Sequence, residues 1–248
     1  MGNDEAKSIK RRRSRKQRVE MKLISRYFSF EGADNRWDRM ANVLRKSCDA
    51  HGVDHDVQEM PVPQRVRGAA VCANHAKLKE WRDCVFAADE PVILADVDTF
   101  IQRNPLSAFH QVENVGITYR DQGGPPIPLN AGIVFVQPTE TARQFFHEWC
   151  YMDAYLWSEG HEFMKWRKKY QGMNQASLGA LMETTGFKPT RLNCSKWNLV
   201  EPWDDPEKAA IVHIKGNCMR HIFDGEDPRY DNVVRIKNEW MKIENHNA

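Results

Sequence analysis

A short apolar run that ends in two aspartates constrains the fold of this chain more than any other feature. Residues 91–98 read PVILADVD, so four consecutive apolar residues stand between a proline and a pair of carboxylates. A run of this length, bounded by proline and by charge, is typical of a central parallel strand that is buried on both faces. Such a strand requires further layers of structure above and below the sheet.

Strand patterns and helix patterns alternate along the rest of the chain. Stretches typical of strands occur at residues 21–30, 53–60, 115–119, 131–137 and 209–214. Apolar residues at helical spacing occur at residues 33–48, 73–87, 139–157, 174–185 and 231–243. This alternation predicts a three-layer α/β fold with a mostly parallel central sheet.

Length and composition favour one domain behind a basic tail. At 248 residues and 41% hydrophobic, the chain can bury one substantial core, and we expect a single domain over residues 21–248. Residues 1–20 hold eight basic and three acidic side chains with almost no apolar ones, which predicts a disordered tail. The remaining residues carry 28 basic and 31 acidic side chains, so the positive charge is concentrated in the tail.

Several sequence features bear on location. No stretch approaches the ~20 consecutive apolar residues that a membrane-spanning helix needs. The charged N-terminus has no apolar segment of the kind found in signal peptides. The six cysteines are scattered without a C-x-x-C pair, which favours free thiols in a reducing compartment over disulfides or a zinc site. We therefore expect a cytoplasmic protein, located in the host cytoplasm if its source is a virus.

Asp96 and Asp98 are candidate metal ligands because of where they stand. Ligands of open α/β sheets bind outside the carboxyl ends of the strands, and this pair directly follows the apolar strand. Residues i and i+2 face the same side of a strand, so both carboxylates can converge on one Mg²⁺ or Mn²⁺ ion. The alternative is a solvated corner between strand and loop. A second pair, Asp54 and Asp56, begins an amphipathic strand and is expected to face solvent.

Four segments resemble the glycosyltransferases of the GT-A fold. The segment PVILADVDTFIQRNPLSAF resembles their D-x-D signature, and LNAGIVFVQPTETARQFFHEW resembles their strand N-[SA]-G with the helix that follows. GMNQASLGALMETT resembles their D-Q-x-x-[LF] helix, with asparagine where aspartate is commoner. IVHIKG resembles the strand that precedes their last active-site loop. The four occur in the family's order, and the resemblance covers about residues 21–223.

This resemblance implies a metal-dependent transfer of a sugar from a nucleoside diphosphate donor to a hydroxyl group. UDP predominates as the nucleotide in that superfamily. Asp98 would ligate the metal, and Asp96 would share it or contact the ribose. His213 would be the third ligand, and an imidazole beside two carboxylates favours Mn²⁺ over Mg²⁺. The alternative for His213 is a core histidine on a buried strand.

The resemblance also implies groups that bind the diphosphate. In the family-8-like enzymes the motif continues H-x-x-G-x-x-K, and His213 and Gly216 match it, but Met219 stands at the lysine position. Lys215 or Arg220 could bind phosphate instead, the arginine through a bidentate contact. This departure leaves assignment to that family open.

Further donor contacts are implied on the first strand, on a helix and on the NAG strand. Arg26 and Tyr27 would touch the base and the ribose. Lys77, on the helix before the D-x-D strand, would bind the nucleotide or diphosphate, or would be a solvated lysine. Asn130 and Gly132, in the NAG segment, would line the donor sugar.

Three residues are the candidates for catalysis. Asn174 and Gln175 fall where retaining enzymes present an amide or acid beneath the anomeric carbon, and Gln175 is preferred for that role. Asp121, in the Gly/Pro-rich loop, is the candidate to bind sugar hydroxyls or to act as the base that an inverting enzyme needs. The sequence leaves retention and inversion both open.

Two basic features bear on the acceptor. The tail over residues 1–20 would neutralise phosphates. Residues 163–171 read FMKWRKKYQ and mix aromatic rings with cations, notably Lys165, Trp166, Arg167 and Lys168. Such a mixture suits a nucleic-acid surface, so the preferred single acceptor is a hydroxymethylated base in DNA, as in phage-type base glycosyltransferases. A glycan, lipid or protein hydroxyl is the alternative, and a non-catalytic module that binds a nucleotide or nucleic acid is a second one.

Overall fold

A six-stranded sheet forms the centre of the protein. The computed structural model describes residues 20–29, 35–61, 69–120 and 129–246. The strands of the main sheet are β1 (Lys22–Tyr27), β2 (Asp54–Glu59), β3 (Val92–Ala95), β5 (Val115–Tyr119), β6 (Leu129–Val136) and β7 (Thr190–Asn193). Their order across the sheet is β2-β1-β3-β6-β5-β7. A second sheet pairs β4 (Thr99–Ile101) with β8 (Ile211–His213).

Helices connect and cover these strands. The α-helices are α1 (Arg36–Ala50), α2 (Ala69–Ala87), α3 (Glu140–Ser158), α4 (Gly160–Tyr170), α5 (Met173–Thr185), α6 (Cys194–Trp197), α7 (Gly216–Phe223) and α8 (Asp231–Asn245). Short 3-10 helices span Pro105–His110 and Pro206–Lys208.

The main sheet is mostly parallel, as the sequence predicts. Strand β1 pairs in parallel with both β2 and β3, and β5 pairs in parallel with β7. Only β6, within the described part of the sheet, runs in the opposite direction, between β3 and β5. The predicted burial and central position of β3 are confirmed. The predicted parallel pairing is correct for β1 only, because β6 is antiparallel to β3. Burial on both faces requires a continuous apolar run whatever the direction of the neighbouring strands.

The core lies on both faces of the sheet, which confirms the three-layer arrangement. Along β3, Ile93 packs into one hydrophobic cluster and Leu94 into the other, as the alternation of side chains in a strand demands. The first cluster includes α1 and α8, with Trp240 fully buried. The second includes α2, α3 and α5, with Trp149 fully buried.

Most elements agree with the sequence patterns, and a few differ. Helix α2 begins at Ala69 rather than at residue 73, and Asn35 precedes α1 without a side-chain cap. Strands β4 and β7 and helices α4, α6 and α7 are additional to the predicted elements. None of the six cysteines, all of which lie in the described ranges, forms a disulfide. No helix in the described ranges is long and apolar enough to cross a membrane. Residues 1–19 and Asp121 lie outside the described residues.

Candidate functional site

The turn that follows β3 carries both aspartates and joins the two sheets. The Asp96 amide donates to the Gly132 carbonyl of β6 at 2.8 Å, and the Thr99 hydroxyl donates to the Asp96 carbonyl at 2.7 Å. On the other side, the Ile214 amide donates to the Asp98 carbonyl at 2.8 Å. Backbone hydrogen bonds to the main sheet and to the β8 end therefore fix the positions of both carboxylates.

His213 meets the two aspartates because β8 pairs with β4. Thr99 of β4 lies opposite His213 in this antiparallel pair, which places the imidazole beside the turn. One ligand atom from each of Asp96, Asp98 and His213 lies within 4.8 Å of the other two. The structure thus brings the three sequence-predicted metal ligands together.

The His213 ring is held on one side and has an unpartnered nitrogen on the other. Its side chain is fully buried, and its Nδ1 lies 3.0 Å from the Asn198 Oδ1. Its Nε2 lies 2.9 Å from the Asp98 Oδ1 and 3.7 Å from the Asp96 Oδ2. Despite this short distance to the Asp98 oxygen, Nε2 makes no hydrogen bond among the described residues. Two carboxylates and a buried imidazole nitrogen fit a divalent cation such as Mn²⁺.

Two lysines surround the acidic pair. The Lys77 Nζ lies 2.5 Å from the Asp96 Oδ1, and the Lys215 Nζ lies 3.8 Å from the Asp96 Oδ2. Lys77 also lies 4.6 Å from the centre of the Trp81 ring, which fixes the ammonium by a cation–π contact. Burial alone would raise the pKa of Asp98, but His213, Lys215 and Lys77 lower that pKa to about 2. Asp98 is therefore a carboxylate at any pH near neutrality.

A cavity of about 220 Å³ adjoins the acidic pair, and its walls include four predicted donor contacts, Arg26, Tyr27, Lys77 and Asp96. It is lined by Arg26, Tyr27, Phe28, Trp37, Ala73, Asn74, Lys77, Asp96, Val97 and Asp98. The Tyr27 hydroxyl donates to the Asp38 Oδ1 at 3.2 Å. The walls combine aromatic rings with charged groups, as a nucleotide with its apolar base and its anionic phosphates requires.

Arg26 is engaged by Asp56, and this corrects the prediction that Asp56 faces solvent. The buried guanidinium donates to the Asp56 carboxylate at 2.8 Å and to its carbonyl at 2.9 Å. Although burial acts in the opposite direction, Arg26 lowers the pKa of Asp56. The parallel pairing of β1 with β2 sets Ile24 opposite Asp56, so Arg26, two positions further along β1, lies on the same face. Asp54 is exposed, as expected, and lies 3.4 Å from Lys22.

The NAG segment supports the histidine rather than reaching outward. The Asn130 side chain is buried, and its Oδ1 accepts a hydrogen bond from the Gly132 amide at 2.8 Å. A Cβ atom at Gly132 would lie 2.2 Å from the His213 Cε1. Gly132 therefore provides the space in which the imidazole lies. Donor contacts of Asn130 and Gly132 stay predictions.

A buried hydrogen-bonded chain behind His213 was not predicted from the sequence. Asn198 Nδ2 donates to the Thr118 hydroxyl at 2.8 Å, and that hydroxyl donates to the Asn130 carbonyl at 3.1 Å. Asn198 and Thr118 are fully buried. Neither residue lies in one of the four segments quoted from the sequence, so only the three-dimensional structure identifies them.

The candidate catalytic amides begin α5. Gln175 Nε2 donates to the Leu129 carbonyl at 3.0 Å, one residue before Asn130. Asn174 is buried, and its Oδ1 has no hydrogen-bond partner among the described residues. Gly172, with φ of 145°, lies where a Cβ would approach the Gln175 Oε1 to 2.7 Å. The structure therefore sets Gln175 beside the NAG strand.

The segment after β8 presents only one of its two candidate cations to the acidic pair. Lys215 contacts Asp96, whereas the Arg220 Nε donates to the Glu226 Oε2 at 2.5 Å. Met219, at the family's lysine position, packs against the first core cluster. A phosphate contact by Gly216 or Arg220 stays a prediction.

Residues 163–171 lie mostly on α4, with their aromatic rings turned toward the protein. Trp166 stacks on Tyr170 at 6.2 Å between ring centres and packs against the second core cluster. Lys165 lies 3.3 Å from Glu162. Arg167 and Lys168 are exposed. The geometry matches a solvated face with its rings packed inward.

Comparison with known proteins assigns the fold and the family. A family profile described as nucleotide-diphospho-sugar transferase matches residues 83–218. The chain belongs to this family. It is therefore a glycosyltransferase that uses a nucleotide-sugar donor. No curated protein sequence matches this transferase.

Solved structures of glycosyltransferases share the fold of this transferase. One is a glycosyltransferase involved in glycosylation of the major capsid of PBCV-1, with a TM-score of 0.57, 12% identity, and coverage of 90% of this chain and 99% of the other. Galactosyltransferase LgtC, in complex with donor and acceptor sugar analogues, has a TM-score of 0.53 and 14% identity, with coverage of 90% of this chain and 95% of the other. GlyE of Streptococcus pneumoniae TIGR4 has a TM-score of 0.60 and 12% identity. The match covers 92% of this chain, which spans 61% of the length of GlyE. These similarities confirm the predicted GT-A fold.

Proposed function

We propose that this transferase depends on a divalent cation, preferably Mn²⁺, held by Asp96, Asp98 and His213. The observation that carries the proposal is the buried His213 Nε2, which has no hydrogen-bond partner among the described residues and faces two carboxylates. A buried polar atom without a partner is costly. A metal ion held there would accept the lone pair of Nε2 and would offset both carboxylate charges. When bound, it supplies Lewis-acid stabilisation of the departing nucleoside diphosphate.

The charges around the cluster support a diphosphate as the ligand. Asp96 and Asp98 contribute two negative charges, which a divalent cation neutralises. Lys77 and Lys215 then leave two ammonium groups for the phosphate oxygens. We propose that these two lysines bind the leaving diphosphate and stabilise its growing charge.

We propose UDP as the nucleotide, with its base in the cavity beside Tyr27. Support comes from the aromatic rings of Phe28 and Trp37 in the same wall and from the position of the cavity next to Asp98. Arg26, paired with Asp56, acts mainly by shaping this wall.

We propose Gln175 as the residue next to the anomeric carbon, with Asn174 beside it. Support comes from its bond to Leu129 at the start of the NAG strand. Asp121 stays our candidate for binding sugar hydroxyls or acting as a base, and its position lies outside the described residues.

We propose a sugar or protein-linked hydroxyl group as the acceptor. Two proteins with the same fold support this class, since one is involved in capsid glycosylation and the other was solved with an acceptor sugar analogue. The hydroxymethylated base in DNA keeps the support of Arg167 and Lys168, but the inward packing of Trp166 removes the ring that would stack on a base.

Donor hydrolysis tests the proposal. With Mn²⁺ and a set of UDP-sugars, the enzyme should release UDP, and a chelator should abolish the release. Asp98→Asn should lower the rate by at least about 100-fold, since a metal ligand is lost. Asp54→Asn, a change at an exposed aspartate of the other pair, is the matched control and should leave the rate unchanged. Equal rates with and without chelator would refute metal dependence, and no turnover with any donor would favour the binding module.

A second experiment separates the acceptor classes. Products from hydroxymethylated duplex DNA and from oligosaccharides are compared by mass spectrometry, with the full chain and with a chain that begins at Met21. Transfer to oligosaccharides by both chains is expected. Transfer to DNA that requires residues 1–20 and falls steeply with salt would establish DNA as the acceptor instead.

A further inference from the structure

A hydrogen-bonded chain of four buried groups leads from the middle of the main sheet to His213. It begins at the Asn130 carbonyl of β6, passes through the Thr118 hydroxyl of β5 and the Asn198 carboxamide, and ends at the His213 Nδ1. All four residues are at most 2% exposed. The proposed metal function uses only the far side of the imidazole, so it does not account for this chain.

The direction of each hydrogen bond in the chain follows from the first group. A backbone carbonyl can only accept, so the hydrogen of the Thr118 hydroxyl points to Asn130. The lone pairs of that hydroxyl then face Asn198, which must present its NH₂ group there. The carbonyl oxygen of the Asn198 side chain consequently faces His213, and Nδ1 must be the donor.

A ring that donates from Nδ1 has its lone pair on Nε2 when it is neutral. Nε2 is the nitrogen that lies 2.9 Å from the Asp98 Oδ1. The opposite tautomer would place a hydrogen between the imidazole and the carboxylates and would block coordination. The hydrogen-bond partner of the other nitrogen is known to set which nitrogen of a histidine binds metal.

We propose that Asn198 is a positioning residue that fixes the metal-binding tautomer of His213, and that Thr118 sets the orientation of Asn198. This inference rests on the proposed cation site. It adds two residues that touch neither the cation nor the donor.

The decisive comparison is between two variants of Thr118. Thr118→Val keeps the shape but removes the hydroxyl, so the Asn198 carboxamide is free to turn and present its NH₂ group to Nδ1. Mn²⁺ affinity, measured by the electron paramagnetic resonance signal of free Mn²⁺, should fall by about 10-fold or more. Thr118→Ser keeps the hydroxyl and should bind Mn²⁺ within about threefold of the original enzyme.

Asn198→Asp should restore the Mn²⁺ affinity that is lost in Thr118→Val. A carboxylate has no hydrogen to present in either orientation, so it accepts from Nδ1 whether or not Thr118 is intact. The loss caused by Thr118→Val should therefore disappear when Asn198→Asp is also present. Asn198→Leu removes the acceptor altogether and should weaken Mn²⁺ binding as much as Thr118→Val does. Thermal unfolding of each metal-free variant verifies that it is folded.

The tautomer itself is measured without metal. In ¹⁵N spectra of the metal-free enzyme at alkaline pH, the neutral His213 ring should carry its proton on Nδ1. In Thr118→Val the spectrum should shift toward the Nε2-protonated form.

The two measurements separate this inference from the proposed function. If the original enzyme fails to bind Mn²⁺, the metal proposal fails, while the spectrum still decides whether Asn198 sets the tautomer. Unchanged Mn²⁺ affinity in Thr118→Val, or a Nε2-protonated ring in the original enzyme, would overturn the inference.

Discussion

Gly132 shows how a position without a side chain can define a site. The ring of His213 occupies the space that any Cβ at this position would need. The backbone of Gly132 also contributes twice, since its carbonyl accepts from Asp96 and its amide donates to Asn130. One glycine thus fixes the location of two metal-ligand candidates.

Replacing Gly132 by alanine should therefore displace the imidazole. We expect Gly132→Ala to lower Mn²⁺ affinity and donor hydrolysis by about 10-fold or more, since the ligand loses its position. Gly160→Ala is the control, because a Cβ there meets nothing within 4 Å. Titration calorimetry with Mn²⁺ and the UDP-release assay measure both. Unchanged values for Gly132→Ala would contradict the proposed position of His213.

The first turn of α3 has a side-chain cap at Thr139. Thr139 accepts a hydrogen bond from the Ala142 amide at 3.2 Å, and its hydroxyl donates to Asn114 at 2.8 Å. Asn35 stands in the equivalent place before α1 but makes no side-chain cap. The two helix starts therefore differ in what their polar residue contributes.

Thr139→Ala should lower the free energy of unfolding by about 1 kcal/mol, the usual contribution of a helix cap. Asn35→Ala should change it by only a few tenths of that amount, since no cap bond is lost. Urea denaturation of the two variants makes the comparison. A larger loss for Asn35→Ala would contradict the difference between the two helix starts.

The sequence predicts which elements exist better than how they pair. The apolar runs of β3, β5 and β6 mark buried strands, but burial on both faces looks the same in a parallel and in an antiparallel neighbour. The sequence therefore contains no pattern that indicates the antiparallel direction of β6. The ion pair of Arg26 with Asp56 was missed for a related reason, because it depends on which strands lie side by side.

The candidate site also contains some residues that the sequence predicts and others that it does not. Asp96, Asp98 and His213 stand in segments with a family pattern, and the structure brings them together. Thr118 and Asn198 are ordinary polar residues far apart in the chain. Their connection arises from the meeting of β5, β8 and the segment after α6, which no local pattern encodes.

The acid stability of the metal-free protein should depend on Asp98. Its folded-state pKa of about 2 lies below the unfolded value of 3.8, so the folded state favours the carboxylate. This contribution is fully present above pH 3.8 and is lost as the pH falls toward 2. From the size of the shift it amounts to about 2 kcal/mol.

Chemical denaturation with a chelator present, between pH 2 and pH 5, measures this loss. Asp98→Asn should show a shallower decline in the free energy of unfolding than the original protein. The exposed Asp54→Asn should follow the original curve. Parallel curves for all three proteins would contradict the pairing of Asp98 with His213.

The two sheets are joined covalently at the turn that carries Asp96 and Asp98, and a cation shared with His213 would join them a second time. Such a bridge closes a loop that contains most of the middle of the chain, as a disulfide would, but reversibly. Unlike a disulfide, the cation would leave the unfolded chain unrestricted, because its three ligands meet only in the folded state. It would stabilise the folded state by an amount that grows with the logarithm of its free concentration. Binding of the cation at the donor site would then also cross-link the two sheets.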